Sequence, residues 1–128
     1  MNRIHCGAFA LLCLTGVAQA APTTIASGAL FSANQAEAVC TLTNVGAASV
    51  SGIAGTILNV SGKAATLATD TCKTGKLAAD ASCDITATVT AAGGANACRF
   101  KAFDTTYLRA TLDIRDTDSN TLVSTQLR

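Results

Sequence analysis

The sequence has no tryptophan, one proline, one methionine and one histidine, and only 13% of its residues are charged. The single histidine, His5, lies at the extreme N-terminus, so the body of the chain lacks the imidazole that Ser-His-Asp and Cys-His sites need. A formal net charge of +1 gives no strongly basic surface that would attract nucleic acid. These absences predict a protein that is not an enzyme and does not bind nucleic acid.

The first twenty residues have the three-part pattern of a secretory signal peptide. Arg3 supplies the positive charge, an apolar stretch covers 8–17, and Ala18-Gln19-Ala20 places small residues before a cleavage site. The apolar stretch is too short to span roughly 30 Å of hydrocarbon as a helix. We therefore expect a cleaved signal peptide over 1–20, a single mature domain over 21–128 without a transmembrane segment, and a secreted or periplasmic location.

Alternating apolar and polar residues predict that the body of the chain is built from β-strands. The clearest examples are 82–90 and 107–115, whose period of two marks strands with one buried face in an antiparallel sheet. The residues expected to face the core are Cys83, Ile85, Ala87, Val89, Leu108, Ala110, Leu112 and Ile114. Further strands are predicted at 25–32, 38–45, 49–60, 64–69, 97–103 and 120–127, with turn-forming clusters at 44–48, 61–63, 91–96 and 116–120.

Seven or eight short antiparallel strands separated by turns predict an all-β fold, a β-sandwich. Aromatic residues are scarce, at 4% of the chain, so Ala, Val, Leu and Ile must fill much of the interior. Small side chains bury less area each, at about 25 cal/mol per Å². A domain of this size is only marginally stable, and we expect covalent cross-links to contribute.

Four cysteines remain after the signal peptide, and an even number in an exported chain indicates two disulfides. Cys72 and Cys83 flank a short loop, whereas Cys40 and Cys98 lie in the middle of predicted strands on their inward faces. This favours Cys40–Cys98 with Cys72–Cys83, although the other two pairings stay open. The closely spaced cysteine pairs of zinc and redox sites are absent, and we expect neither metal nor cofactor.

The stretch CKTGKLAADASCDITATV, residues 72–89, resembles part of bacterial secreted Ig-like domains of the choice-of-anchor D and HYDIN-like kind. Residues 40–46, CTLTNVG, are similar to their strand and Asn-x-Gly turn. The resemblance covers about residues 38–90 and implies an Ig-like β-sandwich with a Cys72–Cys83 bridge. Asp80 stands where these domains usually have glycine, and their Phe-x-Pro is missing. Since such modules mostly serve as surface or spacer domains, the resemblance implies a binding or structural role.

One candidate metal site lies near the C-terminus. Asp116, Asp118 and Asn120 have the spacing that begins a calcium-binding loop. The glycine of that loop is replaced by Thr121, and Leu127 stands where the bidentate glutamate belongs. A polar hairpin turn is therefore the favoured interpretation.

A second candidate site is cationic. Arg99, Lys101, Arg109 and Arg115 are expected on the outward faces of two late strands that could be neighbours in one sheet. Together they would form an anion-binding stripe, interrupted by Asp113. The alternative is an ordinary solvated face.

These observations predict a small exported, non-catalytic protein of the bacterial envelope or extracellular space. It would bind an unknown protein or surface ligand, or serve as a structural module. One alternative is a strand-exchanging, pilin-like subunit of a surface polymer, with 22–32 as the donated strand. Another is a periplasmic inhibitor or chaperone-like partner.

Overall fold

The structure is a computed structural model that describes residues 21–32, 37–89, 94–116, 118 and 120–127, so the predicted signal peptide lies outside it. The described chain forms eleven strands and one 3-10 turn, Cys72–Thr74. Among the described residues no helix is long and apolar enough to cross a membrane. The strands are β1 (Thr23–Ala26), β2 (Leu30–Ser32), β3 (Glu37–Asn44), β4 (Val50–Ser51), β5 (Ala54–Leu58), β6 (Thr69–Asp70), β7 (Lys76–Leu77), β8 (Ser82–Thr88), β9 (Gly94–Ala102), β10 (Leu108–Arg115) and β11 (Thr121–Leu127).

The strands form two main antiparallel sheets and one short pair. The larger sheet has the order β11-β10-β3-β8-β6, and β4 pairs with β7. In the smaller sheet β9 is central: Ala26 of β1 and Thr56 of β5 both pair with Arg99, so β1 and β5 lie on opposite sides of β9. Leu30 of β2 pairs with Asn96, which places β2 after β1 along the same edge.

The core lies between the inner faces of the two sheets. Phe100 and Ile57 of the smaller sheet meet Leu42, Ile85 and Leu112 of the larger one, and all five are completely buried. The predicted inward residues of β8 and β10 are all buried, which confirms the alternating pattern. The all-β sandwich of antiparallel strands is therefore confirmed.

Both expected disulfides are present in the favoured pairing. Cys40–Cys98 joins β3 to β9 with a Cα–Cα distance of 5.9 Å and so links the two sheets. Cys72–Cys83 joins the 3-10 turn to the start of β8 with a Cα–Cα distance of 5.1 Å. Two such bonds are typical of proteins that fold in an oxidising compartment.

The chain has more and shorter strands than predicted because several predicted strands are interrupted. The segment 49–60 divides at Gly52, which takes a φ of 72° that favours glycine. The predicted strand at 64–69 is mostly wrong: Ala64 makes an isolated bridge to Leu58, and only Thr69 belongs to a strand, β6. The predicted turn at 91–96 is also wrong at its end, because β9 already begins at Gly94.

The loop before β8 contains an unusual backbone conformation. Asp80 has a φ of 54° and is the one non-glycine residue with positive φ in the described chain. It lies in a turn in which the N–H of Ala81 donates to the carbonyl of Ala78 at 3.4 Å. A positive φ at the third residue of such a turn is typical of type II turns, where glycine is preferred.

Candidate functional site

The four cations of the predicted stripe lie on two different surfaces. Arg99 and Lys101 are exposed on β9 of the smaller sheet, whereas Arg109 and Arg115 belong to β10 of the larger sheet. The expectation that these strands are sheet neighbours is wrong, so the four residues form no single anion-binding stripe. Periodicity shows which way a side chain points from its strand but does not show which sheet the strand joins.

The two arginines of β10 already have partners within the chain. Arg115 Nη2 lies 3.4 Å from the carboxylate of Asp113. Arg109 Nη1 donates to the carbonyls of Leu108 at 2.8 Å and Thr106 at 3.2 Å. Arg99 and Lys101 remain as a cation pair on the outer face of β9, where their strand neighbours are small: Thr24, Ala26, Ala54 and Thr56.

The residues of the predicted calcium loop form a hairpin turn between β10 and β11. One carboxylate oxygen of Asp116 accepts hydrogen bonds from the backbone N–H groups of Asp118 and Asn120, both at 2.9 Å. The other oxygen accepts from the Asn120 side chain at 3.2 Å. These hydrogen bonds hold the pKa of Asp116 below its ordinary value, and the bond from the Asn120 backbone has the largest effect. Asp116 therefore organises the turn with both of its carboxylate oxygens.

A different site lies at the end of the sandwich where β3 and β9 finish. Residues 45–51 and 103–107 border a groove with a volume of about 460 Å³. Three large apolar side chains are exposed there, Val45 by 50%, Phe103 by 43% and Tyr107 by 57%. Among the described residues Phe100 is the one buried aromatic residue, and this groove holds two of the three exposed aromatic side chains. The third, Phe31, lies on β2.

The first wall of the groove is fixed by a buried asparagine at the end of β3. Asn44 is completely buried, and its side-chain amide donates to the carbonyls of Ala48 at 2.8 Å and Ala78 at 3.0 Å. Its side-chain oxygen accepts from the N–H of Gly46 at 3.0 Å. Because buried polar groups hold their partners strongly in a low-dielectric interior, these bonds fix the shape of 44–48.

Backbone hydrogen bonds connect the two walls to each other. The N–H of Val45 donates to the carbonyl of Tyr107 at 2.9 Å, and the N–H of Phe103 donates to the carbonyl of Ser51 at 3.1 Å. Each bond joins a residue of one wall to a residue of the other. The groove is therefore formed before any ligand arrives, which reduces the entropy lost on binding.

Two glycines allow the aromatic side chains to lie close to the backbone of 45–52. A Cβ at Gly46 would come within 2.8 Å of Tyr107 Cβ, and a Cβ at Gly52 would come within 2.7 Å of Phe103 Cδ2. Real Cβ atoms do not approach other atoms this closely, so any other residue would displace the aromatic side chain. The glycines therefore determine where the two aromatic surfaces lie.

Asp104 carries the one charge on the lining of the groove. Its carboxylate accepts a hydrogen bond from the backbone N–H of Thr106 at 2.8 Å, which lowers the pKa of Asp104 from its ordinary value. The side chain is exposed and ionised at neutral pH. An apolar surface with a single negative charge is complementary to an apolar group that carries a positive charge.

A second depression of about 510 Å³ lies at the opposite end of the sandwich. It is bordered by residues 59–60 and 64–68, the end of β8 and the start of β9, and no aromatic or charged side chain lines it. The groove at 45–51 and 103–107 is chemically the more distinctive of the two, and we treat it as the candidate functional site.

Two aromatic residues in the sequence indicate this site, although the alternation of apolar and polar residues does not distinguish them. Phe103 ends one predicted strand and Tyr107 begins the next, and between them lie the polar residues Asp104, Thr105 and Thr106. Aromatic side chains in a short polar loop are candidates for a binding surface because a solvated loop offers them no core. The opposing wall, 45–51, carries mostly small residues and no comparable signal.

Comparison of the chain with protein-family models, with curated proteins and with solved structures finds no match.

Proposed function

We propose that this protein is a small exported, non-catalytic binding module of the bacterial envelope or extracellular space, and that its ligand occupies the groove at 45–51 and 103–107. The observation that carries the proposal is the exposure of Phe103 and Tyr107 on a preformed surface. Large exposed apolar side chains next to each other mark interaction sites in proteins that otherwise bury them. Aromatic residues are also the side chains that most often dominate binding energy.

The ligand we propose is a protein segment with a hydrophobic side chain beside a lysine or arginine. The hydrophobic side chain would pack on Phe103 and Tyr107, and the cation would face the ionised carboxylate of Asp104. The groove volume is within the range of pockets that hold a few side chains or a small molecule. Charge complementarity of this kind contributes chiefly to specificity and to the rate of association.

The experiment is a selection of random displayed peptides on the disulfide-bonded protein, followed by titration with an enriched peptide that lacks tyrosine and tryptophan. The chain has one tyrosine and no tryptophan, so its intrinsic fluorescence reports on Tyr107 at the groove itself. We expect enriched peptides to contain a hydrophobic residue next to Lys or Arg, and their binding to change that fluorescence.

Matched variants decide whether binding occurs in this groove. Phe103→Ala should weaken binding by about tenfold or more, the effect of losing an aromatic anchor, and Asp104→Asn should weaken binding of basic peptides in particular. Phe31→Ala removes an aromatic side chain that is 72% exposed but lies on β2, outside the groove, and should change nothing. Equal affinity of the wild type and Phe103→Ala would contradict the proposal.

An exported location and an Ig-like arrangement are part of the same proposal. The two disulfides support folding outside the cytoplasm. The Cys72–Cys83 bond and the positive φ of Asp80, at a position where the resembled domains usually have glycine, support the Ig-like assignment. Cleavage after Ala20 is tested by N-terminal sequencing of the protein recovered from the periplasm.

A second candidate function is a strand-exchanging subunit of a surface polymer. It is supported by the position of β1 and β2, which together form one edge of the smaller sheet and pair with β9 alone in the described chain. Deleting 22–32 should abolish a ladder of oligomers if this strand is donated between copies. A protein that forms no such ladder contradicts this second candidate and leaves the binding module unaffected.

A further inference from the structure

The outer face of the smaller sheet has charges of one sign only. Its four strands, β1, β2, β5 and β9, contain two cations, Arg99 and Lys101, and no aspartate or glutamate. Cys98 and Phe100 are buried in the core, so Arg99 and Lys101 point outward, about 7 Å apart along β9. Two like charges without an acidic neighbour repel each other, and the fold gains no stability from them.

The outer face of the larger sheet is different because its charges are paired. Glu37 stands opposite Arg115, and Arg115 Nη2 lies 3.4 Å from the carboxylate of Asp113. Within the described chain the side chains of Arg99 and Lys101 have no hydrogen bond or ion pair. The two cations of the smaller sheet are therefore available to a ligand.

Small residues surround these two cations on the neighbouring strands. The residues paired with them are Thr24, Ala26, Ala54 and Thr56. Each cation has one threonine beside it, and a threonine hydroxyl can donate to an anion. A guanidinium group binds a carboxylate through two parallel hydrogen bonds. The arrangement therefore has the chemistry of a carboxylate-binding surface that is open to a large ligand.

An exposed aromatic side chain lies on the same face. Phe31 pairs with Ala95 of β9, and its neighbour Leu30 packs against the core, so Phe31 points outward as the cations do. Phe31 is 72% exposed, more than any other large apolar side chain in the described chain. Arg99 is four residues beyond Ala95 on β9, a separation of about 13 Å along the strand. A ligand that contacts both Phe31 and Arg99 must therefore be extended.

We propose that this face binds an acidic polysaccharide, a chain of sugars that carry carboxylates. Sugar rings present C–H groups with partial positive charge, and the negative face of an aromatic ring attracts them. One sugar ring would pack on Phe31, and carboxylates further along the chain would bind Arg99 and Lys101. The ligand would lie on the sheet face rather than in the groove at 45–51 and 103–107, so the inference does not rest on the ligand proposed for that groove.

Two other classes of ligand fit this face less well. Attachment to an anionic membrane needs a larger apolar surface or a cluster of cations, whereas this face has one exposed phenylalanine and two cations. Peptides are commonly held along a sheet edge or in a groove, whereas Phe31, Arg99 and Lys101 lie on the face of a sheet. Both classes enter the experiment as competing ligands.

The experiment is isothermal titration calorimetry on the full chain, exported into an oxidising periplasm and purified with its disulfides intact. The ligand is an oligomer of galacturonic acid, and the matched control is the same oligomer with its carboxylates methyl-esterified. Polyglutamate supplies carboxylates without sugar rings, and phosphatidylglycerol vesicles supply an anionic membrane. We expect the acidic oligomer to bind most tightly and to lose affinity as salt is added, because salt screens exposed charges.

Substitutions test the cationic and the aromatic contact separately. Arg99→Gln should weaken binding of the acidic oligomer by about tenfold, because a charge-assisted pair of hydrogen bonds is lost. Arg109→Gln removes the same charge from the outer face of the larger sheet and should leave binding unchanged. Phe31→Ala should weaken binding of the oligomer but not that of polyglutamate, which has no sugar ring to pack on the phenylalanine.

The inference would be overturned by an acidic oligomer that does not bind, by equal binding of the acidic and esterified oligomers, or by equal or tighter binding of polyglutamate or the vesicles. Equal effects of Arg99→Gln and Arg109→Gln would also overturn it. Phe103 lies in the groove, and Phe103→Ala should leave oligomer binding unchanged. Failure of the groove proposal and failure of this inference are therefore distinguishable.

Discussion

Gly46 lies directly against the side chain of Tyr107: a Cβ added to Gly46 would be 2.8 Å from Tyr107 Cβ and 2.9 Å from Cγ. These atoms are next to the tyrosine backbone and cannot move away by a simple rotation of the ring. Gly46→Ala should therefore shift Tyr107 and destabilise the protein by about 1–3 kcal/mol, as overpacking does. The measurement is urea unfolding together with the fluorescence of Tyr107.

Gly28→Ala is the matched control for this substitution. No atom lies within 4 Å of a Cβ at Gly28, and its φ is not positive. The same chemical change there should leave both stability and tyrosine fluorescence close to those of the wild type. Equal effects of the two substitutions would mean that the close approach at Gly46 does not determine the position of Tyr107.

A second prediction concerns the buried amide of Asn44. Asn44→Ala removes the donors to Ala48 and Ala78 and leaves backbone groups unpaired in the interior. We expect a loss of about 2–3 kcal/mol in the free energy of unfolding, because unpaired buried polar groups keep their full desolvation cost. Thermal unfolding and amide hydrogen exchange at 44–48 would measure it. Unchanged exchange at these residues would show that Asn44 does not hold the groove wall.

The two disulfides should contribute unequally to stability. Cys40–Cys98 spans 58 residues and Cys72–Cys83 spans 11, and in the loop-entropy model they contribute about 4 and about 3 kcal/mol respectively. The Cys40→Ala/Cys98→Ala variant also loses the buried link between the sheets and should unfold at lower denaturant than Cys72→Ala/Cys83→Ala. The reverse order would show that packing around the shorter loop outweighs loop entropy.

Asp80 provides a prediction about backbone conformation. Its φ of 54° costs an ordinary L-residue about 1–2 kcal/mol, whereas glycine adopts it freely and aspartate tolerates it better than most residues. Asp80→Ala should therefore destabilise the protein by about 1 kcal/mol. Asp80→Gly should be the more stable of the two variants, because glycine adopts this φ freely, although the greater flexibility of its unfolded chain offsets part of that gain. A thermal midpoint for Asp80→Ala equal to or above that of Asp80→Gly would contradict the left-handed conformation.

The lowered pKa of Asp116 makes the β10–β11 turn sensitive to acid. The folded state favours the ionised carboxylate of Asp116. The contribution of Asp116 to stability is therefore present above the ordinary aspartate pKa of about 3.9, and it is lost as the pH falls through the lower folded pKa. Asp116→Asn keeps an acceptor oxygen but does not titrate. The wild type should be the more stable of the two near neutral pH, and the difference should shrink in acid.

Asp118→Asn is the control for that experiment, because in the turn Asp118 donates its backbone N–H to Asp116 rather than supplying the accepting carboxylate. Thermal midpoints measured from neutral pH down to about pH 2 would compare the three proteins. A wild-type advantage that does not depend on pH would show that the charge on Asp116 does not hold the turn.

The sequence predicted the strands that have one buried face and one exposed face. The alternation around Ile85 and Leu112 located β8 and β10 to within two residues and identified their buried residues. It failed where small residues carry no hydrophobic signal: Gly94 and Ala95 read as a turn but pair with β2 as part of β9. In such segments the hydrogen bonds to a neighbouring strand decide the structure, and the neighbour is not encoded locally.

The candidate site depended on long-range pairing even more strongly. The wall at 45–51 and the wall at 103–107 are more than fifty residues apart in the chain and meet only because β3 and β9 end on the same side of the sandwich. The cation stripe failed for the same reason, since Arg99 and Arg109 are close in sequence but belong to different sheets. Local pattern identifies candidate residues, and topology decides which of them meet.

The Cys40–Cys98 bond also determines how the protein would respond to mechanical force. It joins the central strand of the larger sheet, β3, to the central strand of the smaller sheet, β9. If the chain is pulled from its two ends, the load passes from Cys40 to Cys98 through this covalent bond, and the 58-residue loop between them cannot be extended. Only the outer segments, β1, β2, β10 and β11 among them, can be drawn out. A protein built in this way keeps the middle of its chain closed under tension until a reductant opens the bond.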